Sequence, residues 1–196
     1  MDRGRRRVFY AALALVFGAL AGSAQAAAPA RTGVDAVGAQ AGTGASPSTL
    51  PGGASSLQET FQDWFVACVQ QGPGKSCSFA QIQTDNRSGQ RVLSVELVPS
   101  GDTATGILIL PFGLDLDSGV ALFVGDEAVG PSLRFRTCLA VGCIVPLAFD
   151  GAATALLKSG AAMTVKARAE NRQEVAFAVS LKGFTTALDR TAALLD

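Results

Sequence analysis

The sequence predicts an all-β sandwich with one or two short peripheral helices, on three observations. From Leu57 onward, apolar or alternating runs of five to eight residues are separated by Gly, Pro, Asn, Asp or Ser, the spacing typical of sandwiches and barrels. The last of these runs alternates cleanly: Val175, Phe177, Val179 and Leu181 point one way, and Ala176, Ala178 and Ser180 the other, as a half-buried strand requires. All four cysteines fall in this same region, where they can staple a small core.

The chain of 196 residues opens with Arg3, Arg5, Arg6 and Arg7, then the uncharged apolar run Val8 to Ala21, then Gly22-Ser23-Ala24-Gln25-Ala26. Basic, apolar and small-residue segments in that order form a secretory signal, so residues 1–26 read as a signal peptide cut between Ala26 and Ala27. The run of roughly 14 residues is shorter than the roughly 20 needed to cross a bilayer, which argues against stable membrane insertion after cleavage. Residues 27–56 contain Ala, Gly, Pro, Ser and Thr, no aromatic, and only Arg31 and Asp35 as charges. Such a composition buries too little surface to offset chain entropy, and it reads as a flexible linker. The domain proper is expected at 57–196.

Within it the expected strands are 64–70, 76–83, 91–98, 105–110, 120–124, 133–137, 143–149, 163–169 and 174–181. Asn86-Arg87-Ser88-Gly89 and Asn171-Arg172-Gln173 supply turns, because Asn and Gly tolerate positive φ. Ala152 to Lys158 reads as a helix entered at Asp150 and stopped by a C′ Gly160. Thr185 to Leu195 carries Leu188, Ala192 and Leu195 on one stripe and reads as a helix capping the domain.

Composition narrows function. Lys plus Arg and Asp plus Glu number 16 each, and removing residues 1–26 takes away four arginines and one aspartate, leaving 12 against 15. A mildly acidic domain gives no footing for nucleic-acid binding, which needs cations for the phosphates. There is no histidine, and Tyr10, the only tyrosine, lies in the signal. The usual general base, zinc ligand and partner of a Ser or Cys nucleophile are therefore missing. No P-loop, G-x-S-x-G or S-x-x-K motif is present. No cofactor or metal is expected, and the protein is read as a non-enzyme.

Cys68, Cys77, Cys138 and Cys143 form an even set in an exported chain and read as two disulfides. Sequence alone permits three connectivities. Each close pair flanks a turn, Gln71-Gly72-Pro73-Gly74 in one case and Gly142 in the other, which favours Cys68 with Cys77 and Cys138 with Cys143. The intervals of eight and four residues do not repeat a C-x₂₋₄-C zinc unit, and neither pair is a redox C-x-x-C.

Asp115 and Asp117, two apart after Pro111-Phe112-Gly113, are the best carboxylate pair for chemistry or a cation, but the loop lacks a ligand-dense D-x-D-x-D-G run and reads first as a solvated turn. Asp126-Glu127 reads as a charged loop. Arg134 and Arg136 share one face of an expected strand and read as an exposed sheet face.

Asp63-Trp64 with Cys68 and Cys77, then Pro111-Phe112-Gly113-Leu114, then Cys138 with Gly142-Cys143, then Ser180-Leu181-Lys182-Gly183-Phe184, in that order, resembles the invasion-associated locus B (IalB) family of exported bacterial proteins over about residues 61–190. The resemblance implies an immunoglobulin-like β-sandwich of the periplasm or cell envelope, linked in some pathogens to host-cell invasion and virulence. It places Trp64 in the core beside the first disulfide and brings no catalytic residues. The expectation is thus a periplasmic, secreted or outer-membrane-associated interaction protein with an unnamed protein or envelope-surface partner, supporting invasion or envelope integrity. The rival is an envelope enzyme, or an inhibitor of one, using the Asp115/Asp117 carboxylates.

Overall fold

The computed structural model describes residues 49–87 and 89–196; the signal segment, the Ala26/Ala27 cleavage point and the linker up to residue 48 lie outside them. Five strands follow one another as antiparallel hairpins: β1 (Ser56–Phe61), β2 (Trp64–Gln71), β3 (Gly74–Thr84), β4 (Arg91–Ser100) and β5 (Thr103–Leu110). β6 (Val120–Val124) and β7 (Glu127–Ala128) start a second sheet, and β8 (Thr137–Leu139) and β9 (Gly142–Phe149) return to the first. After α1 (Gly151–Ser159), β10 (Ala162–Arg168) and β11 (Glu174–Ser180) complete the second sheet, and α2 (Phe184–Leu195) ends the chain. The sheets run β1-β2-β3-β4-β5-β9-β8 and β11-β10-β6-β7. This is the expected all-β, immunoglobulin-like sandwich class with two short helices.

Period-two patterning decides which side of each strand is buried. Trp64, Val66 and Cys68 on β2, Cys77, Phe79 and Gln81 on β3, and Leu93, Val95 and Leu97 on β4 all point inward. Phe184 at the start of α2 closes on them: the rings of Trp64, Phe79 and Phe184 lie 5.3 to 5.5 Å apart, two of the three pairs edge-on. Each such pair adds about 0.5–1.5 kcal/mol beyond its buried area. α2 rests on β1 to β4, and α1 on β5 and β9.

Four sequence expectations shift. The ordered domain begins before Leu57: β1 starts at Ser56, and Leu50, ahead of a short 3₁₀ turn at Pro51–Gly53, is 1% exposed in the core. A single leucine among Ala, Gly, Pro and Ser has no period to reveal it. The strand expected at 133–137 is split between sheets. Leu133 bridges Val120 of β6, the Arg136 N–H donates to the Ile144 carbonyl of β9, and the regular strand is Thr137–Leu139. Asp126-Glu127 is no loose loop, since Glu127 pairs with Val124 in the β6–β7 hairpin. α1 is capped by Asp150, whose carboxylate accepts from the Ala153 N–H at 2.8 Å, but Gly160 is extended at φ −88° rather than left-handed. Its glycine identity answers space instead: a Cβ there would strike the Val124 side chain.

Candidate interaction surface

The residues of the family-like motifs at the two ends of the domain converge on one point. The Trp64 Nε1–H donates to the Ser180 carbonyl at 2.8 Å, and the Ser180 hydroxyl donates to the Asp63 carboxylate at 2.6 Å. β11 is an edge strand, and its outward backbone groups would be an open template for pairing. Gln81, 3% exposed, covers them with its amide: its Nε2–H donates to the Ser180 carbonyl at 2.8 Å, and its Oε1 accepts from the Ser180 N–H at 3.2 Å. Gln83 does the same for the Ala178 carbonyl at 2.7 Å. Two glutamines of the larger sheet thus act as a substitute strand for the smaller one. Gly183 sits at φ +85° with its α-hydrogens against the Phe61 carbonyl, so the start of α2 depends on a residue without Cβ. These motif residues build the fold, and Trp64 packs in the core as expected.

The disulfides join Cys68 to Cys77 and Cys138 to Cys143. Both join directly opposed residues, across the β2–β3 and β8–β9 hairpins.

The Asp115/Asp117 loop is a turn. The Asp115 carboxylate accepts from the Ser118 hydroxyl at 2.7 Å and from the Asp117 N–H at 3.2 Å. The Ser118 hydrogen bond first, then backbone hydrogen bonds and Arg172, hold its pKa below the usual aspartate range. A general acid needs the opposite shift. Arg134 and Arg136 are both exposed on one side of the segment crossing between sheets. Among the described residues, no group of three or more Cys, Asp and Glu could hold a metal. A small depression of about 150 Å³ lies beside Ser118, Lys166 and Arg168. There Lys166 is already taken up by Glu174 at 3.9 Å and by the Phe123 ring.

What remains is the outer face of the seven-stranded sheet, opposite the helices. Register places Ile82, Ser94, Ile109 and Ile144 in one row across β3, β4, β5 and β9, and Phe65, Ala80, Glu96, Ile107 and Pro146 in the next. Ile82 is 46% exposed, and beyond the rows Leu139, Val141 and Phe112 are 54%, 53% and 62% exposed. Ile82, Arg91, Pro111, Phe112, Val141 and Gly142 line a cleft of about 780 Å³, and a smaller one of about 180 Å³ continues from Ile82 and Arg91 to Phe65 and Glu96. A register shift after Gln83 sets Arg91 opposite Thr84, on this face. Arg91 makes no ion pair among the described residues. Sequence reading missed this surface, although the alternating residues of five strands carry it; only pairing register shows that they form one patch. Phe65, Ile107, Ile109 and Ile144 are half-buried and Ala80 and Ser94 lie buried between them; apolar surface left partly open in this way can mark a contact site.

The fold is that of a disulfide-stapled, two-sheet β domain. The family described as Invasion associated locus B (IalB) protein matches residues 64–192. An invasion protein B homolog of Brucella abortus (strain 2308) is 49% identical over 149 residues, 75% of this chain and 86% of the relative. The invasion protein B of Bartonella bacilliformis is 36% identical over 159 residues, 79% of this chain and 84% of the relative. The crystal structure of invasion associated protein B from Bartonella henselae has a TM-score of 0.66 at 29% identity, covering 70% of this chain and 96% of that one. The chain belongs to the IalB family.

Proposed function

We propose that the protein is exported to the cell envelope, with the periplasm as its site of action, and works there by surface contact rather than catalysis, supporting host-cell invasion or envelope integrity. The observation that carries this reading is the aliphatic outer face of the seven-stranded sheet. Export is supported by the basic, apolar and A-x-A segments of residues 1–26 and by two disulfides, which persist in oxidising compartments. The involvement in invasion is supported by the names of the relatives. The test is a chromosomal replacement carrying Ile107→Lys and Ile144→Lys, compared with a deletion strain for detergent sensitivity and host-cell entry, alongside fractionation. The contact reading expects a folded, exported variant with the deletion phenotype. The rival enzyme reading is tested by Asp115→Asn with Asp117→Asn: a deletion phenotype at unchanged thermal stability would sink the contact reading.

A further inference from the structure

The outer face is self-complementary. Its central row, Ile82–Ser94–Ile109–Ile144, is flanked on one side by Ala80, Glu96, Ile107 and Pro146. On the other side lie Thr84 and Arg91, with Pro111 and Gly142 at the next level of β5 and β9. Glu96 is two residues to one side of Ser94, and Arg91 is paired with Thr84, two residues to the other side of Ile82. Each lies about 7 Å from the central row. Glu96 accepts from the Ser78 hydroxyl at 2.9 Å through one oxygen, which leaves the second oxygen for a cation.

Resting on the contact reading above, we propose that the occupant of this face is a second copy of this chain. The copies pack outer face to outer face about a two-fold axis along the central row. Such an axis stacks Ile109 on its own counterpart and Ile144 on its own. It sets Arg91 of each copy against Glu96 of the other, the reciprocal pairing an isologous contact demands. Ile107 then meets Pro111, and Pro146 meets Gly142, where no side chain obstructs it. Both charges at the centre of the face find opposite charges, and Ile82, Ile109 and Ile144 find aliphatic counterparts. Five strands at about 4.8 Å spacing and about 20 Å of strand length give a footprint on the order of 500 Å² per copy. That is the size of a reversible contact rather than an obligate one, so the dimer should appear at micromolar concentrations and above.

Sedimentation velocity on the purified chain from about 1 µM to 1 mM tests this. The wild type should move from the mass of one copy to that of two. Arg91→Glu and Glu96→Arg, each alone, place like charges together and should weaken association roughly tenfold or more. The double exchange should restore it, and an equimolar mixture of the two single variants should form a mixed dimer. Ile109→Lys, on the axis, should abolish the dimer while circular dichroism stays unchanged. A wild type that stays monomeric to 1 mM, or a dimer indifferent to all of these changes, overturns the inference. If the wild type is monomeric and the face variants still show the deletion phenotype, the face serves a partner of another kind and the contact reading stands. If the dimer forms but the face variants behave as wild type in the cell, the contact reading fails instead.

Discussion

The indole N–H of Trp64 donates to the carbonyl of Ser180 across 116 positions of sequence, tying the second strand of one sheet to the edge strand of the other. Trp64→Phe keeps most of the ring packing but removes that hydrogen bond from a site where the indole is 1% exposed. The expected loss is about 1–2 kcal/mol, and Trp64→Ala should lose about 3–5 kcal/mol. Urea unfolding followed by circular dichroism measures both; a Trp64→Phe variant as stable as the wild type would mean that the hydrogen bond contributes nothing.

Gln81→Leu should be nearly as destabilising as a core deletion, although leucine is apolar and of similar size. It leaves both the N–H and the carbonyl of Ser180 short of the Gln81 amide, at about 1–3 kcal/mol for a desolvated group left unpaired. Amide hydrogen exchange provides the local readout: the Ser180 N–H should lose protection selectively, and a uniform loss over the whole chain would contradict the edge-covering role.

Gly183→Ala forces a Cβ against the Phe61 carbonyl at φ +85°. Both the clash and the left-handed backbone oppose it, so the variant should fail to accumulate as folded protein, whereas Gly125→Ala at φ +60° with open space around it should lose only about 1 kcal/mol. Soluble yield and thermal midpoint of the pair separate clash from conformation.

The two disulfides should differ in weight. By loop-closure entropy alone, the Cys68–Cys77 loop and the shorter Cys138–Cys143 loop contribute about 2–3 kcal/mol each. Cys68 and Cys77 are both buried at 1% and 2%, whereas Cys138 is half-exposed on the edge hairpin. Replacing Cys68 and Cys77 by alanine also opens core space, so that pair should lose more stability than the Cys138/Cys143 pair in matched denaturant titrations.

Glu59 on β1 accepts bidentate hydrogen bonds from Arg190 of α2 at 2.7 and 2.8 Å. Those bonds hold its pKa below the usual glutamate range. The folded state therefore binds that proton less readily than the unfolded chain. The pair's stabilisation is full above the unfolded pKa and is lost as pH falls through the depressed folded value. With side chains 29% and 36% exposed, screening limits it to about 0.5–1 kcal/mol. Glu59→Gln should thus be less stable than wild type at neutral pH, with the gap closing under acid; a gap that widens on acidification would refute the assignment.

Much of the fold was legible in local pattern. β6 runs over the expected residues, and β2, β4, β9 and β11 lie within two residues of their expected ends, because each carries its own alternation and its own turn residues. The cysteine pairing was legible for the same reason, since each pair flanks one hairpin turn. β1 escaped because its serine, glutamine, glutamate and threonine hide a short apolar set, Leu57 and Phe61, next to a linker-like stretch. The roles of Gln81 and Gln83 escaped because no local rule distinguishes a solvated glutamine from one that covers the edge of another sheet. The acidic Asp115/Asp117 turn, conspicuous in sequence, proved to be hydrogen-bonded within itself.

By itself, the sequence determined the two-residue alternation, the turn positions and the hairpin-spanning cysteines, because these arise from neighbours only a few residues apart. Only the tertiary structure decided that Asp63 and Trp64 meet Ser180 and Phe184, that Leu50 is core, and that Ile82, Ile109 and Ile144 align with Arg91 and Glu96 into one face. Those relationships depend on strand register and sheet packing, which are set by the joint burial of residues a hundred positions apart rather than by any local preference.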